Sequence, residues 1–319
     1  MVFRKECQIF IQYFNKNTMA VYSRIYSLAL LFLSFQSSSN SLVKIPMDEV
    51  NWEYKGTNLK CDLKYNNPSY GKFYFRSEEK GVIYFKASVN GANKRGHSGV
   101  LLSTPAPWNI GRAPRIVTNI ASVDKGTMSF STNVEGLLVD IEAGNWLQFT
   151  IGGNSPSDKS TYLVPTIRIH NALKRFRDCQ SSLPLMSYTQ ARDIALLFEL
   201  GQITLNANQL KTLSALNSYL MVDPKVDKLL IDGYADNVGS KIGNLKISRQ
   251  RAEQVASQME KLGVDRNMIE VRAHGSRYPI ASNANHQGQA KNRRVTLRLV
   301  RSDEAVLPMT PDNNDKGKV

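Results

Sequence analysis

The chain has 319 residues, a formal net charge of +14 and a sequence pI of about 9.6. A hydrophobic fraction of 42% with 21% charged residues is ordinary for globular proteins, and the length fits two domains with extensions. The basic residues are spread along the chain without a long run, which excludes the basic stripe typical of nucleic-acid binding. Dispersed positive charge instead favours attraction to polyanions such as those of a cell envelope.

The N-terminal segment is typical of an export signal. Arg24 precedes an apolar run over 25–35, and a serine-rich stretch continues to Ser41. The run is shorter than the roughly twenty apolar residues of a transmembrane helix, although an uncleaved signal anchor is the alternative. We predict a signal peptide over residues 1–41, with its true start at Met19, and an exported mature protein. No cysteine follows the run within 36–41, which weighs against a lipid anchor.

Two of the three cysteines are candidates for a disulfide. Cys7 lies in the extension before Met19, which leaves Cys61 and Cys179 as an even pair in an exported chain. We hypothesise that these two form one bond that closes a long loop. Two buried free thiols are the alternative.

Residues 42–180 are predicted to form a β-rich domain. Short runs of β-branched and aromatic residues alternate with Gly, Asn, Asp and Pro clusters. The predicted strands include 72–76, 82–86, 134–140 and 146–151. Their regular spacing predicts an all-β antiparallel barrel or sandwich. A short basic helix over 167–179 ends this domain, and a bond from Cys179 would tie that helix to an early strand.

The apolar period changes past a linker predicted at 181–188. Residues 189–303 are predicted to form an α+β sandwich in the order β-α-β-α-β-β, with both helices on one face. The predicted strands are 194–200, 228–234, 268–273 and 294–300, and the predicted helices are 208–220 and 244–262. Gly263 is a predicted helix stop. Residues 304–319 form a predicted polar tail.

A carboxylate and a guanidinium are placed to face one cleft in this second domain. Asp236 follows the strand at 228–234 in a glycine-bearing turn, and Arg251 lies on the next helix. Helical rotation puts Asn244, Ser248 and Arg251 on nearly the same azimuth. Such a cleft suits a zwitterion, with an ammonium against Asp236 and a carboxylate forked by Arg251.

These residues resemble the OmpA-like peptidoglycan-binding family. The matching stretches are ADNVG from Ala235, NLKISRQRAEQV from Asn244, GSRYPIASN from Gly275 and NRRV from Asn292. The resemblance covers about 189–300 and is strong because the motif is long and ordered. It implies the family's β-α-β-α-β-β fold. It also implies that Asp236 and Arg251 bind the meso-diaminopimelate residue of the peptidoglycan stem peptide.

Asn244 and Arg294 complete the predicted ligand set. Asn244 is also a natural N-cap, and only one of Arg293 and Arg294 can face the cleft, because adjacent strand residues point to opposite faces. The sequence departs from the family at Ala235 and Tyr234, where Thr and His are usual. Losing the Thr hydroxyl removes a ligand hydrogen bond worth about 0.5–1.5 kcal/mol, so we expect weaker binding than is typical of the family.

The domain layout as a whole resembles that of T-ring proteins of the sodium-driven polar flagellar motor. This resemblance implies a periplasmic structural protein associated with the flagellar basal body and the cell wall. The implied partners are peptidoglycan, MotX, the basal body and, indirectly, the PomA/PomB stator, with no nucleic acid. A general OmpA-like wall anchor with an unrelated N-terminal partner domain is the alternative.

The sequence does not predict an enzyme. Residues 51–166 contain one histidine, His97, and the four histidines of the chain show no metal-ligand spacing. No nucleophile elbow, P-loop or zinc motif occurs in the sequence. We therefore expect no catalytic residue, no metal and no cofactor. A wall hydrolase that uses the OmpA-like part for targeting is a third hypothesis.

Overall fold

The computed structural model describes residues 41–89, 98–124, 127–152 and 159–304. The predicted signal peptide lies outside these residues apart from Ser41, and the predicted tail lies outside them apart from Glu304. His97 lies outside them as well. No helix within the described residues combines the length and apolar character needed to cross a membrane.

The N-terminal region consists mostly of strands. In chain order they are β1 (Ser41–Lys44), β2 (Glu53–Thr57), β3 (Lys60–Asn67), β4 (Gly71–Glu79), β5 (Val82–Val89), β6 (Ser98–Thr104), β7 (Arg115–Thr118), β8 (Ser122–Asp124), β9 (Thr127–Phe130), β10 (Trp146–Gly152) and β11 (Ser160–Val164). The strands predicted at 72–76, 82–86 and 146–151 are confirmed within β4, β5 and β10.

These strands form two sheets that pack on each other. The strand orders are β1-β11-β10-β6-β7 and β2-β3-β4-β5-β9-β8. Both sheets are open, so the closed barrel that the sequence left possible is wrong. Phe73 of β4 meets Phe149 of β10 edge-on, with ring centroids 4.9 Å apart, and such contacts form the core between the sheets. Strand β1 pairs in parallel with β11, so the pairing is not wholly antiparallel as predicted.

One predicted strand is a helix. Residues 134–140 lie in helix α1 (Val134–Glu142). The buried side chains of α1 are Val134, Leu137, Leu138 and Ile141. This spacing follows the helical period rather than the alternation of a strand, and burial of that face against the sheets outweighs the strand preference of the β-branched residues. The prediction of an N-terminal domain with a single short helix is wrong, because α1 is present in addition to the helix predicted at 167–179.

A disulfide ties a helix to an early strand of the N-terminal region. Helix α2 (His170–Ser182) begins three residues later than the helix predicted at 167–179. Cys179 on α2 is bonded to Cys61 on β3, with Cα atoms 6.0 Å apart. The hypothesised bond is therefore present, and the alternative of two free thiols is wrong.

The C-terminal region forms a second α+β unit with its own sheet and core. Its elements are α3 (Tyr188–Ala191), β12 (Asp193–Leu197), α4 (Ala207–Leu220), β13 (Val226–Tyr234), α5 (Lys241–Lys261), β14 (Ile269–Gly275), α6 (His286–Asn292) and β15 (Arg294–Arg301). The sheet order is β12-β15-β13-β14, with β13 in the interior. The predicted order of strands and long helices is present, and the short helices α3 and α6 were not predicted.

Helix α5 carries half of the candidate site, and its start differs from the prediction. Ser240 is the N-cap, since its Oγ accepts a hydrogen bond from Gly243 N at 3.0 Å. The prediction of Asn244 as N-cap is wrong, because this residue lies inside the helix. At the other end Gly263 adopts φ +98, which a residue with a side chain rarely adopts, and the predicted helix stop is confirmed.

Candidate ligand-binding site

Asp236 lies two residues past the end of β13, with 4% of its surface exposed. Its Oδ2 accepts a hydrogen bond from Arg293 Nη1 at 2.9 Å, within a buried ion pair. Its Oδ1 accepts a hydrogen bond from Val238 N at 3.1 Å, which holds the turn. A carboxylate oxygen has two lone pairs, so Oδ1 keeps capacity for one further donor.

Arg251 lies on α5 with 1% of its surface exposed. Its Nε donates to Gln202 O at 2.8 Å and its Nη2 donates to Glu199 O at 3.2 Å. Within the described part of the chain no carboxylate forms an ion pair with Arg251. Burial, together with the positive charge of Arg293, lowers the pKa of Arg251 to about 10 despite the favourable charge of Asp236. The guanidinium is therefore a buried cation whose charge is not neutralised.

Asn244 and Ser248 connect the turn, the helix and the neighbouring strand. Asn244 Nδ2 donates to Asp236 O at 3.0 Å. Ser248 Oγ donates to Leu245 O at 2.9 Å and accepts from Gly275 N at 3.0 Å. Both residues are buried on the same face of α5 as Arg251, which confirms the predicted common azimuth.

The close approach of α5 to β13 depends on a glycine. A Cβ added to Gly233 would lie 2.1 Å from Ser248 O, which belongs to the helix backbone. Only glycine therefore allows the helix to approach this strand so closely. This contact sets the distance between the turn that carries Asp236 and the helix that carries Arg251.

The structure brings Arg293, and not Arg294, to Asp236. Arg293 Nε also donates to Phe198 O at 3.1 Å, which fixes the guanidinium beside the carboxylate. The side chain of Arg294 takes a different position: its Cζ lies 3.8 Å from the ring centroid of Tyr234, and its Nη2 donates to Tyr278 O at 3.1 Å. Three of the four predicted ligand residues, Asp236, Arg251 and Asn244, thus belong to one cluster, and Arg294 does not. The predicted role of all four in ligand binding stays a prediction.

Tyr234 packs beside the cluster through ring stacking. Its ring lies against that of His274, with centroids 4.8 Å apart and planes at 17°. Burial, with the nearby charge of Asp232, raises the pKa of the Tyr234 phenol. The tyrosine that replaces the family's usual histidine is therefore a packing platform for Arg294.

The charge balance of the cluster indicates which ligand it can accept. Two buried guanidinium groups, Arg251 and Arg293, face one buried carboxylate, Asp236, so the cluster carries one excess positive charge. An unneutralised buried charge is costly, and an anionic group of a ligand would offset that cost. The free lone pair of Asp236 can receive an ammonium at the same time. No group of three or more His, Cys, Asp or Glu residues in the described ranges could hold a metal ion.

Comparisons with known proteins identify both halves of the chain. Residues 197–293 match the OmpA family, and this range includes Asp236, Arg251 and Arg293. Residues 44–184 match the MotY N-terminal domain. The chain therefore carries a MotY N-terminal domain followed by an OmpA-family domain.

Individual relatives agree with this assignment. The chain is 26% identical to the sodium-type flagellar protein MotY of Vibrio parahaemolyticus over 79% of its length and 87% of that protein. It is 46% identical to the peptidoglycan-binding protein ArfA of Mycobacterium tuberculosis over 70 residues, which are 22% of each chain. The crystal structure of the peptidoglycan-associated lipoprotein from Burkholderia pseudomallei matches 33% of this chain and 89% of that chain, at 26% identity and a TM-score of 0.32. A TM-score at this level does not establish a shared fold, so the assignment depends on the sequence matches.

Proposed function

We propose that the C-terminal domain anchors this protein to peptidoglycan by binding the diaminopimelate residue of the stem peptide. The excess positive charge of the buried Asp236–Arg251–Arg293 cluster carries the proposal. A ligand carboxylate would pair with Arg251, which has N–H groups left after its two carbonyl contacts. The ammonium of the same amino acid would bind the free lone pair of Asp236. The sequence likeness to a protein named for peptidoglycan binding supports this ligand class.

We propose further that the chain is a periplasmic structural protein of the sodium-driven flagellar motor. The likeness to MotY extends over both domains, which supports a flagellar role more than a wall-binding domain alone would. In this proposal the protein belongs to the T ring, and its N-terminal domain attaches to the basal body and to MotX. Attachment to the wall through the C-terminal domain then supports assembly of the PomA/PomB stator. The role is structural and not catalytic.

The wall-binding proposal is tested by sedimentation with purified sacculi. Asp236→Ala and Arg251→Ala should each reduce the sedimented fraction at least several-fold, because each removes one charged contact to the ligand. Asp227→Ala and Lys261→Ala are matched controls, since both side chains are exposed, on β13 and on α5. Circular dichroism verifies that all four variants are folded. Unchanged sedimentation of folded Asp236→Ala and Arg251→Ala would exclude this cluster as the binding site.

The motor proposal is tested separately in a deletion strain. Loss of swimming, restored by the intact gene, is expected from a motor component. Normal swimming combined with a weakened envelope would favour a general wall anchor. A cleared band on a peptidoglycan zymogram would instead support a wall hydrolase.

A further inference from the structure

A cleft lies between the start of α5 and the end of β14. It has a volume of about 490 Å³. Its lining includes the basic side chains Lys241, Arg249 and Arg277 and the apolar side chains Ile242 and Leu245. The remaining lining residues are Ala273, His274, Gly275 and Ser276, so no acidic residue contributes to the lining in the described structure.

The three cations of this cleft are exposed and have no acidic partner. Within the described ranges, Lys241, Arg249 and Arg277 form no ion pair with a carboxylate. Several other cations of the C-terminal domain do form such pairs, namely Arg192, Lys225, Arg266, Arg272, Arg293, Arg298 and Arg301. A concave surface with three unpaired positive charges favours an anionic ligand, because its walls concentrate the positive potential.

The cleft borders the diaminopimelate site proposed above. Gly275, in its wall, accepts a hydrogen bond from Ala235 N at 2.7 Å and donates one to Ser248 Oγ. Ala235 is the residue before Asp236, and Leu245 of the cleft is the residue after Asn244. The two sites therefore share a wall, so a residue next to the one seated at Asp236 lies beside the cleft.

We propose that this cleft is an anion subsite for a second carboxylate of the same stem peptide. The proposal depends on the diaminopimelate site, and it assigns the cleft to the α-carboxylate of the neighbouring glutamate, which is free because that residue is linked through its side chain. Arg249 and Arg277 supply N–H groups and Lys241 an ammonium for the carboxylate. Ile242 and Leu245 provide apolar surface for the methylene groups of the peptide.

The test compares two soluble muropeptides that differ only at the glutamate α-position, one with a carboxylate and one with a carboxamide. Isothermal titration calorimetry of the full mature chain should give weaker binding of the amide by about two- to fivefold, the range for one exposed ion pair. Arg249→Gln and Arg277→Gln should each weaken binding of the acid by a similar factor and reduce the difference between the two ligands. Lys261→Gln, on the same helix and outside the cleft, is the control and should change neither affinity.

The outcomes separate this proposal from the proposed function. If the unmodified protein binds both muropeptides equally well, the wall-binding function stands and the anion subsite is refuted. If Arg249→Gln and Arg277→Gln weaken both ligands by the same factor, the glutamate carboxylate is not the group that the cleft binds, and the proposal is overturned. If the protein binds neither muropeptide, both proposals fall. Under the proposal, the preference for the acid also decreases with added salt, since an exposed pair is screened.

Discussion

Removal of the Cys61–Cys179 disulfide should strongly destabilise the N-terminal domain and leave the C-terminal domain unchanged. The bond joins residues separated by 118 positions. In the chain-entropy model a crosslink of this length stabilises the folded state by about 4–5 kcal/mol, as an upper value. Cys61 is fully buried on β3, so Cys61→Ala with Cys179→Ala avoids placing a new polar atom in the core.

The tryptophans provide a specific assay for this effect. All three, Trp52, Trp108 and Trp146, lie in the N-terminal domain, so their fluorescence during urea unfolding reports on that domain alone. A loss of about 4–5 kcal/mol with a slope of about 1–3 kcal/mol per molar lowers the urea midpoint by on the order of 2 M. The unmodified protein in reductant should behave like the double variant.

A local measurement in the other domain serves as the control. Hydrogen exchange in α5 should be the same in the unmodified protein and in the double variant, because Cys61 and Cys179 both pack in the N-terminal core. Equal fluorescence midpoints for the oxidised protein and the double variant would refute the argument. An equal loss of protection in α5 would show that the bond acts on the whole chain and not on one domain.

Three further predictions concern single side chains. Gly233→Ala places a Cβ 2.1 Å from the carbonyl oxygen of Ser248, so the helix must shift, and we expect a loss of about 1–3 kcal/mol in thermal unfolding of the C-terminal domain. Arg293→Met leaves Asp236 buried without its cation and should cost about 3–5 kcal/mol in the same assay, whereas a negligible change would mean that the ion pair is not formed. Burial raises the pKa of Asp62, but its arginine and lysine partners outweigh burial and hold that pKa below its usual range. Its stabilising effect is therefore present above the unfolded-state pKa of about 3.9 and is lost as the pH falls through the lower folded-state pKa. Asp62→Asn should therefore destabilise the N-terminal domain at pH 7, and this effect should decrease as the pH falls below about 3.9.

Element order was predictable where the apolar period was unambiguous. Helix α4 and strand β13 are close to their predicted ranges, because each buries a regular face. Helix α4 buries Leu213 and Leu216 at helical spacing, and β13 buries Leu229 and Ile231 at alternate positions. Residues 134–140 were mistaken for a strand because Val134 and Val139 favour strands locally, whereas the spacing of the buried positions is helical. Short helices such as α6 were missed because they have little apolar periodicity to detect. Asn292, within α6, is held instead by hydrogen bonds to Ile280, Ala281 and Asn283.

The site could be predicted from sequence only in part, because one of its residues is positioned by contacts between segments far apart in the chain. The spacing of Asn244 and Arg251 on one helix follows from helix geometry, so their common face could be deduced from sequence. Which of Arg293 and Arg294 points into the site could not be deduced from sequence, because it depends on which face of the sheet the first residue of β15 points to. A start shifted by one residue would exchange the two side chains. The pairing of Phe198 with Arg293 resolves the choice, and it is a backbone contact between residues 95 positions apart.

This one choice of face has a direct consequence for ligand binding. Because Arg293 enters the cluster, Asp236 is already paired, and the unneutralised cation is Arg251. In the proposed binding mode the ligand carboxylate would therefore pair with Arg251, and the ligand ammonium would share Asp236 with Arg293. Had Arg294 been the inward residue, Tyr234 would have lost the guanidinium that stacks on it at 3.8 Å, and its buried ring would lack that contact. Tyr234 stands where the family usually has histidine. Its ring packs against Arg294, which lies outside the cluster, so the replacement is compatible with the site.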